Sequence, residues 1–297
     1  MRSMLFVPGD RPERFAKAAA SGADAVIVDL EDAVAPARRA EARRHAAEWL
    51  RAQACDVPRW VRINPVDTAD ALEDLAAVVE ARPDGVVLPK ARSGADLARL
   101  DHWLEALEAR HGQPRGAIAV VALVTETAQA LLEAASFATP PARVTGYSWG
   151  AEDLAAEVGA SANRTADGEF AALYRQARNA CLLMAAAAGV RALDTTDVEF
   201  RDLAALERRT RASSRDGFTG KLAIHPAQVP VIHAAFTPGE AEVAWARRVV
   251  EALSGASGAV ALDGRMIDRP HLRQAERILR SAGDSPHFSS EEWGQSP

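Results

Sequence analysis

Cysteine is nearly absent from this chain, with only Cys55 and Cys181 among 297 residues. Two such residues imply no disulfide framework and point to a reducing compartment, the cytoplasm. Long apolar runs are also missing. The longest, Cys181 to Val190, falls short of the ~20 residues needed to cross a bilayer, so no membrane association is expected. The run at Leu5–Pro8 is cut off by Gly9-Asp10-Arg11, too soon for a secretory signal. Neither sign of charge dominates: Lys plus Arg is 35, Asp plus Glu is 41 and the net charge is -6, which leaves no electrostatic footprint for a nucleic acid. No Gly-rich phosphate-cradling loop, no His/Cys spacing suited to zinc and no internal repeat occurs. These absences leave a soluble protein acting on small molecules.

What is present is a repeated alternation. Short apolar or β-branched runs are separated by longer segments of helical composition, the pattern of βα units around a parallel sheet. Strands are expected at Ser3–Val7, Ala25–Asp29, Trp60–Ile63, Gly85–Pro89, Ala117–Val124, Val144–Trp149, Arg191–Asp194 and Leu222–Ile224. Eight strands favour a closed (β/α)8 TIM barrel over an open sheet. Amphipathic segments such as Ala69–Ala81, Gly94–Arg110, Glu126–Ala135 and Glu169–Ala188 would form the outer ring. The Gly/Ser-rich piece from Ser254 to Gly258 reads as a hinge, dividing a barrel at residues 1–254 from a C-terminal helical extension at 255–297. The stretch from Ser285 to Pro297 is polar and expected to fray.

The chemistry-bearing residues fall at the expected strand C-termini, where a barrel presents its active site. Asp29, Glu31 and Asp32 follow strand two, Arg62 and Asn64 strand three, Lys90 strand four, Glu126 strand five, Glu152 and Asp153 strand six, and His225 strand eight. Glu126 and Asp153 could jointly hold a hard divalent cation, since Mg²⁺ accepts a few carboxylates together with water and substrate oxygens. Either acid could equally cap the helix after its strand, and the residues alone leave both readings open. Arg62 offers a bidentate donor for a carboxylate or enolate oxygen, against the plainer alternative of an ion pair with Asp29, Glu31 or Asp32. Those three acids are expected to orient other groups, Lys90 to neutralise carboxylates, and His225 to serve structure.

These segments resemble the citrate lyase beta-subunit-like and malyl-CoA lyase family of CoA-ester lyases. The resemblance is carried, in order along nearly the whole chain, by Arg2–Gly9, Val28–Asp32, Val61–Pro65, Leu88–Lys90, Glu126–Ala128, Trp149–Leu154, Lys221–Pro226 and Asp263–Asp268. It implies Mg²⁺, with Mn²⁺ as a substitute, on Glu126 and Asp153, and a CoA thioester as substrate with Arg62 on its oxygens. The turn Gly150-Ala151-Glu152-Asp153 would receive the carboxylate of a 2-keto acid. Asp268 stands where the family carries an acid/base that reaches a neighbouring subunit, which implies a homo-oligomer, a trimer or hexamer. Asp268 could also simply N-cap the helix starting near Pro270. Many relatives have arginine after the Glu-Thr-Ala motif, whereas Gln129 follows here.

The activity so implied is reversible carbon–carbon cleavage of a 3-hydroxyacyl-CoA such as malyl-CoA or citramalyl-CoA. The alternatives are a citrate lyase beta subunit acting on a citryl-acyl-carrier protein, a malyl-CoA thioesterase, and a non-catalytic barrel.

Overall fold

The computed structural model describes residues 1–52, 56–256 and 258–283. The expected final polar stretch, 285–297, lies outside the described residues. Eight parallel strands close on themselves in sequence order: β1 Ser3–Pro8, β2 Ala25–Asp29, β3 Arg59–Arg62, β4 Gly85–Leu88, β5 Ala119–Leu123, β6 Val144–Ser148, β7 Arg191–Asp194 and β8 Gly220–Ala223. β1 pairs with both β2 and β8, which completes the ring of a (β/α)8 barrel.

Alternation along the strands sorts side chains into two layers. Met4, Ala25, Ile27, Trp60, Val87, Val121, Leu123, Leu193 and Leu222 form one buried cluster and fill the barrel. Their neighbours Leu5, Val26, Val28, Val61, Val86 and Val120 belong to a second, larger cluster between the sheet and the helices. Trp60 needs room inside the barrel, and β4 supplies it with Gly85: any Cβ there would collide with the indole ring.

The helical ring departs from expectation after β5. The segment expected as one helix, Glu126–Ala135, is a short helix Ala128–Leu132 followed by a 3₁₀ turn Ala134–Ala138. Its start is set by Thr127, which is extended and whose Oγ1 accepts the Ala130 N–H at 3.1 Å. As the N-cap it keeps Glu126 out of the helix. Likewise the helix expected from Glu169 starts at Ala172, because Thr165 and Ala171 bond back across a small loop to Glu169 and Asn163.

The chain divides into two compact units, Met1–Phe236 and Thr237–Pro297, so the division comes before the helix Glu240–Leu253 and not at residue 254. The reason is packing. Ala246, Val249 and Leu253 of that helix share a buried cluster with Ile267, Ala275 and Leu279 of the helix Arg269–Ser281 and its approach. Between the two helices run β9 Val260–Leu262 and β10 Arg265–Ile267, an antiparallel pair. Among the described residues no helix is long and apolar enough to cross a membrane.

Candidate active site

At the C-terminal end of the barrel strands, side chains from β2, β3, β4, β5 and β6 converge. Asp29 ends β2 on the inward face, continuing Ala25 and Ile27, and Arg62 ends β3 on the same face as Trp60. The two carboxylate oxygens of Asp29 accept Arg62 Nε at 2.7 Å and Nη2 at 2.6 Å, a bidentate pair, and also take the backbone N–H groups of Glu31 and Ala33. Arg62 Nη1 lies 3.1 Å from Glu31 Oε2, and the guanidinium carbon sits 4.8 Å from the centroid of the Phe6 ring. The ion pair weighed for Arg62 from sequence is therefore formed, with Asp29 and Glu31 as partners. Burial alone would make its guanidinium easier to deprotonate, but Asp29 and Glu31 outweigh this and hold it charged.

Lys90 follows β4 in a left-handed backbone, φ +51°. Its N–H donates to Glu126 Oε2 at 2.7 Å. Its ammonium contacts Glu31, Asp32 Oδ2 at 2.8 Å and Asp153 Oδ1 at 3.0 Å. One residue thus joins the loops after β2, β5 and β6. Burial would lower the lysine pKa, yet the hydrogen bonds it donates to Asp32 and Glu31 and the charge of Asp153 push it upward. Burial raises Glu31, whereas for Asp32 the pull of Lys90 overcomes burial and lowers it.

Glu126 is buried, 2 % exposed, and is pushed up to about 8 by burial and by the charge of Asp153. Its close neighbour is Gly150, where a Cβ would stand 2.6 Å from Glu126 Oε1. Gly150 precedes the helix Ala151–Glu157, whose first turn carries Glu152 and Asp153. Glu152 is exposed and its Oε1 accepts Asn163 Nδ2 at 2.8 Å, so its side chain is committed outside the Glu126–Lys90 cluster. The buried hydroxyls of Thr125 and Ser148, next to Glu126 and just before Gly150, find no hydrogen-bond partner among the described residues.

Five carboxylates, Asp29, Glu31, Asp32, Glu126 and Asp153, thus face two cations, Arg62 and Lys90. The charge of Asp153 disfavours that of Glu126, and a divalent cation held by both would relieve that repulsion. Among the described residues no three His, Cys, Asp or Glu side chains form a complete metal cage. Two carboxylates, with orphan hydroxyls nearby for bound water, match the way Mg²⁺ is held alongside substrate oxygens.

Other sequence candidates make contacts of their own. Asn64 donates to Leu30 O and Asp74 and ties β3 to the helical layer. His225 accepts the Ala227 N–H on Nδ1 and stacks on Phe200, a structural arrangement. Asp268 takes the N-cap position of the helix Arg269–Ser281, with His271 Nδ1 2.7 Å from its Oδ1. Cys181 is buried and its thiol is pushed up by burial, which removes it as a nucleophile.

Sequence reasoning passed over Phe6, whose inward position could have been read from its alternation with Met4. It also missed a buried set in which Asp194 accepts Lys221 Nζ at 2.7 Å, Ser213 Oγ at 2.8 Å and Trp149 Nε1 at 2.8 Å. These partners are far apart in sequence, and the motifs that hold Trp149 and Lys221 do not point to Asp194.

Comparison with known proteins gives a consistent picture. Residues 2–226 match the model of the HpcH/HpaI aldolase/citrate lyase family, and residues 175–283 match a family described as a C–C bond lyase of the TIM-barrel fold. The citrate lyase subunit beta-like protein of Mycobacterium tuberculosis is 42% identical over 282 residues, 95% of each chain. A (3S)-malyl-CoA thioesterase of Cereibacter sphaeroides is 35% identical, covering 95% of this chain and 94% of its own. The crystal structure of protein CitE from Mycobacterium tuberculosis, in complex with magnesium, acetoacetate and coenzyme A, superimposes with a TM-score of 0.79 at 41% identity, covering 95% of this chain and 98% of that one.

Proposed function

Because the chain belongs to the HpcH/HpaI aldolase/citrate lyase family and is a carbon–carbon lyase, we propose that it cleaves, or in reverse forms, a 3-hydroxyacyl-CoA such as malyl-CoA or citramalyl-CoA. The observation that carries this reading is the pairing of Glu126 with Asp153 across Lys90, beside an arginine fixed by Asp29. Glu126 and Asp153 would hold Mg²⁺, and the magnesium and coenzyme A in the CitE structure support both groups here. Bound there, the ion supplies Lewis acidity to the oxygens of the keto acid and its alcohol precursor.

The remaining work falls to the protein. In cleavage the substrate hydroxyl loses its proton, the bond between the carbinol carbon and the thioester α-carbon breaks, and its electron pair passes into the thioester enolate. The carbinol becomes the keto acid carbonyl, and a proton returned to the α-carbon gives the shorter acyl-CoA. Arg62 stabilises the oxygens on which charge develops, held rigid by its two bonds to Asp29. The backbone of the turn Gly150-Ala151-Glu152-Asp153 receives the keto acid carboxylate. Asp268 of a neighbouring subunit moves the α-carbon proton, so the working form is a homo-oligomer.

The thioesterase named among the relatives favours a second reading, hydrolysis of malyl-CoA at the thioester on the same residues. Mass-spectrometric product analysis with Mg²⁺ against malyl-CoA, citramalyl-CoA and citryl-CoA separates the two. Keto acid plus a shorter acyl-CoA, lost with EDTA and in Asp153→Ala, is the expected result. Free CoA with no keto acid would move the assignment to the thioesterase, and no turnover on any of them would overturn both.

A further inference from the structure

Lys90 contacts acids that follow three different strands. Its left-handed backbone sends the N–H to Glu126 while the ammonium runs to Glu31, Asp32 and Asp153. The two contacts differ in kind. The amide contact with Glu126 is neutral and survives any substitution that preserves the backbone. The ammonium contact with Asp153 is a unit positive charge placed 3.0 Å from an oxygen assigned to the divalent ion.

We propose that the Lys90 ammonium is a built-in counter-cation that competes with the divalent ion for Asp153, holding the acidic mouth together in the metal-free protein at the cost of metal affinity. This rests on the assignment of Glu126 and Asp153 as metal ligands. The competitor has somewhere to go: Glu31 is buried beneath it and Asp32 is half open to solvent, so the ammonium keeps two carboxylates when Asp153 turns to the ion. Lysine suits this task because its charge is a compact point on a flexible stem, unlike the planar fork that pins Arg62 to Asp29. Five carboxylates facing two cations would repel one another without it, and a divalent ion brought in beside it meets a like charge.

The test uses the full chain. Wild type, Lys90→Met and Lys90→Arg are titrated with Mn²⁺, following the free ion by electron paramagnetic resonance, and each is melted in EDTA and in excess Mn²⁺. Lys90→Met should bind Mn²⁺ on the order of tenfold more tightly. It should also melt lower than wild type in EDTA, with the gap closing in excess Mn²⁺. Lys90→Arg keeps the charge and should not gain Mn²⁺ affinity over wild type. If Lys90→Met does not fold without metal, Lys90→Gln, which still donates to Glu31 and Asp32, takes its place with the same expectation. Mn²⁺ binding that is unchanged or weaker in these neutral variants overturns the inference. Asp153→Asn is the control: if it leaves binding intact the ligand assignment itself has failed, whereas if it abolishes binding while Lys90→Met leaves affinity unchanged, only the counter-cation role is lost.

Discussion

Gly150 occupies the position where a single methyl group would reach the proposed metal site. Its φ of -135° is ordinary extended backbone, so alanine meets no conformational penalty there. The penalty is steric, because the new Cβ would lie 2.6 Å from Glu126 Oε1 and 2.7 Å from its Cγ, and Glu126 is buried and tied to the Lys90 N–H. Gly150→Ala should therefore displace the carboxylate: overpacking of this kind costs about 1–3 kcal/mol, and Mn²⁺ affinity is expected to fall by about tenfold with it. Melting curves and a Mn²⁺ titration check this together, and undiminished affinity would mean that Glu126 shifts freely. At this scale much was legible in the sequence. Arg62, Glu126 and Asp153 could be picked out because strand ends in a barrel share one face, and that rule needs only the strand boundaries. The pairing of Lys90 with carboxylates was legible too, but its amide contact with Glu126 was not, since a left-handed lysine has no pattern of its own and this contact depends on a loop 36 residues away.

Helix Gly94–Arg110 is joined to the start of β5 and β6 by one buried carboxylate. Glu108 accepts Arg143 Nη1 at 2.6 Å and Nη2 at 3.0 Å, and takes the N–H groups of Gly116 and Ile118. Burial alone would raise its pKa, but Arg143 and the two backbone donors outweigh this and bring it below its ordinary value of 4.5. A carboxylate whose pKa is depressed in the folded state adds stability that is in place above the unfolded value and fades as pH falls through the folded one. The melting temperature of wild type should accordingly exceed that of Glu108→Gln by a constant margin at neutral pH, and the margin should shrink only below about pH 4.5. A margin independent of pH down to acid unfolding would show that the contact acts by shape and not by charge. Glu108→Ala should cost about 3 kcal/mol, the low end for breaking a buried pair, because Arg143 retains Asp101 at 2.5 Å. Element positions were well anticipated wherever periodicity was strong, as in Gly94–Arg110, which the structure reproduces at both ends. They were not where a local side chain competes with the helix. Thr127 caps the helix after β5 through one hydroxyl bond and leaves Glu126 outside it, and periodicity cannot register that.

For the whole molecule, counting strands was enough to give closure, because eight βα units leave no edge once β8 meets β1. Composition pointed to the Gly/Ser-rich piece as the boundary, whereas the packing of Ala246, Val249 and Leu253 against Ile267, Ala275 and Leu279 groups helix Glu240–Leu253 with the C-terminal unit. That unit carries Asp268, whose local role as N-cap beside His271 and whose proposed role as acid/base in a neighbour's site ask different things of the side chain. Asparagine caps a helix about as well as aspartate but cannot carry the proton. Asp268→Asn should then melt like wild type while turnover falls about 10²- to 10⁴-fold. Subunit mixing takes the argument from the side chain to the assembly. Asp268→Asn and Asp153→Asn chains, each nearly inactive alone, are unfolded together and refolded as mixed oligomers. If Asp268 serves a neighbour's barrel, some sites receive an intact mouth from one chain and an intact acid from another, and activity returns. If each chain supplies its own acid, every site carries one lesion or the other and the mixture stays as inactive as its parts.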